Sequence, residues 1–157
     1  NFLSYLRTWE SEFEYQIIFR TFGNDAKDVL EKLESNGYRD KKERKVIEFE
    51  NFMNYNDLPN SYTKLTNDIY KKDMNIAIKD NYNYWNDNDK NPRFGKPIVC
   101  TDDNIIHFCF DDNDCMRHVD IFGDEIHKFK NRFMKVNTLD AMRNPKYFIN
   151  WFEEQWI

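Results

Sequence analysis

Apolar residues in this chain come in short runs and stripes, separated by stretches rich in acids and amides. Phe2, Leu6, Trp9 and Phe13 recur at helical spacing and predict an amphipathic opening helix. Tyr15 to Phe19 then reads as a short buried strand that runs into Arg20-Thr21-Phe22-Gly23. Asn24 or Asp25 is placed to cap a helix whose Ala26, Val29, Leu30 and Leu33 share one face, and Gly37 is placed to stop it. A strand, a small hydroxyl, a glycine turn and a capped helix make half of a Rossmann-type unit. Thr21 then lies at a strand's carboxyl end, beside a helix N-terminus with an affinity for phosphate. The plainer reading makes Thr21 a turn residue.

The middle of the chain alternates in the same way. Arg39 to Glu43 is a charged connection, Val46 to Phe49 a short strand, and Asn51 to Asn60 a polar loop. Asn60 or Ser61 caps a helix that carries Tyr62, Leu65 and Ile69 on one side. Asn75 to Lys79 is another strand, ended by Asp80, and Asn81 to Asn91 reads as a long loop. In Arg93-Phe94-Gly95-Lys96-Pro97 the glycine and proline hold Lys96 at a defined place, where its point charge would meet a phosphate. A solvated lysine is the plainer reading.

The strongest signal is Ile105 to Asp114, a nearly continuous apolar run that leads directly into Asp111, Asp112 and Asp114. The run has the pattern of a strand covered on both faces. In open α/β sheets ligands bind outside the carboxyl ends of the strands. Carboxylates there would hold a hard cation such as Mg²⁺; otherwise they form a polar turn. Ile98 to Cys100 is expected to pair with Ile105 to Phe110 across the turn at Thr101 to Asn104. His118 to Phe122 reads as one more strand, and Phe129, Phe133 and Met134 mark an irregular amphipathic segment. Asn144 caps a C-terminal helix with Pro145 at its first position, and Tyr147, Phe148, Trp151, Phe152 and Trp156 give it an aromatic stripe. Packing against a sheet is the expected use of that stripe, and a partner surface the lesser one.

Composition narrows the class. At 157 residues the chain suits a single domain, 1–157, with a real core, and no internal repeat is visible. Its 17% aromatic content argues against disorder. A net charge of -5 gives no general electrostatic case for nucleic acid or an anionic membrane. The basic run from Arg39 to Lys45 reads as a solvated loop. No apolar run approaches membrane length and no signal peptide is visible, so a cytoplasmic or otherwise intracellular place is expected. Cys100, Cys109 and Cys115 lack zinc spacing and are expected as free thiols. His107 is expected in the core or lining a pore, and His118 and His127 on the surface.

Three of these pieces, taken in order, resemble the motifs of the haloacid dehalogenase-like (HAD-like) phosphohydrolases. They are YQIIFRT ending at Thr21, GKP with Lys96, and IIHFCFDD ending at Asp111 and Asp112. The resemblance implies a Rossmann-like three-layer α/β sandwich with a mostly parallel central sheet. It makes Thr21 the phosphate-binding hydroxyl and Lys96 the stabiliser of phosphoryl charge. Asp111 and Asp112 become the Mg²⁺ site, with Asp112 the direct ligand. The implied activity is that of a Mg²⁺-dependent phosphatase or phosphotransferase acting on a phosphorylated small molecule or other phosphate-bearing substrate, through an aspartyl-phosphate. The family's first motif, a strand ending in D-x-D with the nucleophile, has no counterpart before Thr21. The chain is therefore expected to be a fragment lacking that N-terminal strand, or a degenerate relative. The stretch from Lys96 to Asp111 is too short for the family's usual helix, which leaves Lys79 as the alternative lysine. The competing class is a non-catalytic α/β domain that binds a protein partner through the helix of Trp151 and Trp156.

Overall fold

Ile76, Ala77 and Ile78 expose 0% of their surface, and their strand, β3 (Met74–Lys79), is the middle strand of the largest sheet. The computed structural model describes residues 2–9, 12–36, 43–69, 74–102 and 104–156. β1 (Ile18–Thr21) and β2 (Glu43–Glu48) flank β3, both parallel to it, with Ile18 opposite Ile76 and Ile47 opposite Ile78. Successive side chains on a strand point to opposite faces. Ala77 accordingly packs on Ala26 and Leu30 of helix α2 (Ala26–Ser35). Ile76 and Ile78 join Tyr62, Leu65 and Ile69 of α4 (Leu58–Ile69). Full burial of each such aliphatic side chain contributes about 2 kcal/mol. A short α3 (Phe49–Phe52) follows β2 directly.

The chain is thus mixed α/β, with short strands paired in parallel, as the sequence predicts. Among the described residues they pair in three small sheets rather than one. β4 (Lys96–Val99) pairs with β6 (Met116–Val119), and β5 (Cys109–Asp111) with β7 (Phe133–Lys135), both parallel. The hairpin expected between Ile98–Cys100 and Ile105–Phe110 is not formed. β4 takes β6 instead, and only the end of the apolar run, Cys109 to Asp111, is strand. Val99 and Val119 bury against Ile47 and Leu65, which gives the parallel pair a core contact.

Other boundaries shift. The first strand is Ile18–Thr21 rather than Tyr15 to Phe19. The opening helix α1 (Phe2–Arg7) stops before Trp9 and Phe13, which sit on a turn where the Phe13 N–H reaches the Trp9 carbonyl at 2.9 Å. Glu43 to Lys45 belong to β2, not to a loop, and Lys45 pairs with Asp68 at 2.7 Å. The rest of the predicted charged connection, 39–42, and the Gly37 stop lie outside the described residues. Asn60 and Ser61 lie inside α4, and Ser61 is buried, its hydroxyl accepting the Asn54 N–H. The expected strand at His118 to Phe122 is Met116–Val119, because Asp120 opens a turn closed by Gly123 at φ +83°. A helix, α5 (Tyr82–Asp87), occupies the predicted loop: Asn81 caps it by accepting the Tyr84 N–H, and Trp85 anchors it.

Near the C-terminus, α6 (Thr138–Arg143), capped by Asn137, was not signalled by any strong stripe. In α7 (Tyr147–Trp156) the aromatic stripe packs inside the molecule. Trp151 meets Phe110 with ring centroids 5.2 Å apart, and Phe152 meets Phe2, Tyr5 and Phe108. The Trp156 side chain is outside the described set. No described helix is long and apolar enough to cross a membrane.

Candidate functional site

β1 ends at Thr21, where the chain must turn into α2. The Thr21 hydroxyl makes that turn: it accepts the Gly23 N–H at 2.8 Å and donates to Asp25 Oδ1 at 2.7 Å. Asp25 occupies the N-cap position of α2 without a side-chain cap bond, and its Oδ1 accepts from Thr21 instead. Thr21 is therefore a turn residue whose hydroxyl bonds Gly23 and Asp25, just before the ten-residue helix α2.

Lys96 reaches this corner from a distant segment. Gly95, just before it, lies so close to β6 that a Cβ would come within 2.2 Å of the Cys115 carbonyl oxygen. Only glycine permits this approach, and the Lys96 N–H then donates to that carbonyl at 2.6 Å. The side chain extends to Asp111 Oδ2 at 2.7 Å and to the Arg20 carbonyl at 3.4 Å. It also stands 4.9 Å from the centroid of the Phe22 ring. The ammonium thus contacts the residues on both sides of Thr21 and the last residue of β5. Both ends of the Lys96–Asp111 pair are deeply buried, each side chain 7% exposed. Lys79, the alternative lysine, is far less enclosed and pairs with Glu48 at 3.6 Å.

Asp111 and Asp112 form the turn after β5. Asp111 Oδ1 accepts the Asn113 N–H, and Asp112 Oδ1 accepts the Asn113 side-chain amide, both at 2.8 Å. Asp112 is exposed, whereas Asp114 is taken by Arg117 at 2.7 Å, which together with its hydrogen bonding lowers the Asp114 carboxyl pKa. Among the described residues no three His, Cys, Asp or Glu side chains gather where they would hold a metal ion. Mg²⁺, however, is commonly held by one or two carboxylates, with waters and substrate phosphates completing its shell. Asp111 and Asp112 supply hard oxygen donors with lone pairs to spare beyond their protein hydrogen bonds, so their chemistry fits that partial role.

Two buried groups beside the site gave little signal in sequence. The Arg20 guanidinium is clamped by Asp80, with Nε donating to Oδ2 at 3.0 Å and Nη2 bonding Oδ1, and it also donates to the Pro97 carbonyl. Burial pushes the Asp80 carboxyl above its ordinary range, with the Arg20 charge acting in the opposite direction. An aspartate immediately after a buried strand was the one available hint. The Cys115 thiol is pushed up to about 12 by burial, so it is an inert neighbour.

The histidines divide differently from expectation. His127 is exposed, but His118 is buried, not on the surface. Its Nε2 lies 3.6 Å from Cys109 Sγ, and its ring is 5.9 Å from that of His107. Burial lowers both His107 and His118 to about 4. Cys100, Cys109 and Cys115 are free thiols. Comparison of the chain with family models, curated proteins and solved structures returns no match.

Proposed function

We propose that this chain is the phosphate- and Mg²⁺-binding part of a HAD-like phosphatase or phosphotransferase domain, with the Rossmann-like layering of that family. One observation carries the reading. Residues from three separate segments, Arg20-Thr21-Phe22, Lys96 and Asp111, converge on a single buried ammonium group. Lys96 and the Thr21 hydroxyl would grip the equatorial oxygens of a phosphoryl group, where charge is stabilised by fixed donors. Asp111 and Asp112 would hold Mg²⁺, which would neutralise and orient the phosphate when bound.

The attacking carboxylate is not among these residues, so the reading calls for a further strand ending in D-x-D. Among the described residues β1 is an edge strand of its sheet and β5 belongs to a separate pair, and Lys96 spans from one to the other. The interval between β1 and β5 is where such a strand would lie. The test is calorimetric titration with Mg²⁺ in the presence of inorganic phosphate. Asp112→Asn is expected to weaken Mg²⁺ binding about tenfold or more without loss of stability, because Asp112 is exposed and its carboxylate accepts a hydrogen bond from the neighbouring Asn113 side chain. Equal affinity in the two proteins would count against the reading.

A partner-binding domain remains the competing class, and Leu139 and Met142 favour it, standing 61% and 80% exposed one turn apart on α6. That reading predicts no response to Mg²⁺ from either protein.

A further inference from the structure

We propose that Arg20 and Asp80 are positioning residues that hold Lys96 and Thr21 in one fixed arrangement; the functional consequence rests on the phosphate-binding reading above. The geometry is reciprocal. The Arg20 side chain donates to the carbonyl of Pro97, the residue after Lys96, while the Lys96 side chain donates to the carbonyl of Arg20, the residue before Thr21. Two neighbouring residues of β4 and one residue of β1 are thereby cross-linked in both directions. Among the described residues β1 and β4 belong to different sheets, so side chains bridge them in place of a backbone ladder.

Asp80 anchors this crossing from the other side. Its backbone N–H donates to the Thr21 carbonyl at 2.7 Å, and its carboxylate takes the Arg20 guanidinium in a two-point fork. One residue at the end of β3 therefore fixes two consecutive residues at the end of β1. The Asp80 side chain is 0% exposed and that of Arg20 7%, so the pair exchanges little with solvent. The fork matters because guanidinium offers several donors in one plane: two engage Asp80 and another is left for Pro97. A lysine at position 20 would keep the charge but could not make the fork and the Pro97 bond together. The four charges, Arg20, Asp80, Lys96 and Asp111, balance, which allows them to be enclosed as a group.

The experiment compares wild type, Arg20→Lys and Asp80→Asn as full chains. Lys96 is labelled with an acetylating reagent and its modification rate is read by mass spectrometry, against exposed Lys27 as an internal standard. Folding is followed by circular dichroism, and inorganic phosphate affinity by calorimetry. Positioning predicts that Arg20→Lys stays folded, that Lys96 labelling accelerates about tenfold or more, and that phosphate affinity falls by about tenfold. A merely structural pair would lower the melting temperature while leaving Lys96 labelling in the folded protein unchanged, and that result overturns the proposal. Asp80→Asn should act in the same direction; if it does not fold, Arg20→Lys decides alone. If wild type binds no phosphate but Lys96 labelling still responds to Arg20→Lys, the functional reading fails and the positioning of Lys96 stands.

Discussion

The ammonium of Lys96 lies 2.7 Å from a carboxylate oxygen of Asp111, and both side chains are almost entirely enclosed. The pair joins β4 to β5, which belong to different sheets among the described residues. A buried pair of this kind does not by itself add much stability, but breaking it leaves one charge uncompensated.

Lys96→Met should therefore destabilise the protein by about 3–5 kcal/mol, with Asp111 left buried and unpaired. Adding Asp111→Asn removes the stranded charge, so the double variant should recover much of that loss. Urea unfolding of wild type, both singles and the double gives the coupling. Additive losses would mean that the two groups do not sense each other.

Gly95→Ala tests the route by which Lys96 is delivered. The added methyl would meet the Cys115 backbone oxygen at 2.2 Å, and backbone cannot move aside as a side chain can. A loss on the order of 1–3 kcal/mol is expected. Gly23→Ala, whose nearest obstacle is the flexible Asp25 carboxylate at 2.9 Å, should cost clearly less. Equal melting temperatures for the two variants would show that β6 gives way.

Much of the three-stranded sheet is legible in the sequence because its signals are local. Ala26 and Leu30 repeat at helical spacing and are buried as predicted, and Ile76 and Ile78 alternate about Ala77 as a two-faced strand requires. Thr21 at the end of β1 and Asp111 at the end of β5 were also readable from strand ends. What pairs with what was not. β4 and β6 are parallel, and parallel pairing leaves no turn signature between the strands. α5 is short and polar, so Trp85 burial decides it rather than a stripe. The Arg20–Asp80 clamp joins residues sixty positions apart, a contact that no window along the chain can contain. His118 stands next to Val119 and Asp120, which gives no hint that its own ring faces inward.

Half-buried His107 and buried His118 set an acid limit. His107 and His118 titrate at about 4 in the fold, lowered first by burial, against about 6.5 when unfolded. Between these values the unfolded chain binds more protons, so stability is full above pH ~6.5 and declines as pH falls toward ~4. Each histidine contributes a slope of up to about 1.4 kcal/mol per pH unit in that window. His118→Gln should lower stability at pH 7 and flatten the decline. Melting temperatures measured from pH 7 to pH 4 check this, and parallel curves for the two proteins would refute it.

The proposed phosphate site at Thr21 has a competitor within the protein, the Asp25 carboxylate. The Thr21 hydroxyl donates to Asp25 Oδ1, the direction in which it would donate to a phosphate oxygen, so the exposed Asp25 carboxylate occupies the donor. A bound phosphate must take that hydrogen bond and tolerate a like charge beside it. Asp25→Ala removes both obstacles. An exposed charge at about 4 Å is worth about 1 kcal/mol, roughly a fivefold change in affinity. Losing an acid at a helix start costs at most about 1 kcal/mol of stability, so the variant should fold. Calorimetry with inorganic phosphate should show tighter binding by Asp25→Ala, and the gain should shrink in high salt. Thr21→Val in the same background should remove the part of the gain that depends on the hydroxyl donating to the phosphate, and leave the salt-sensitive part that comes from loss of the Asp25 charge. Unchanged or weaker binding by Asp25→Ala would mean that phosphate, if bound, is held by Lys96 without help from the β1 turn.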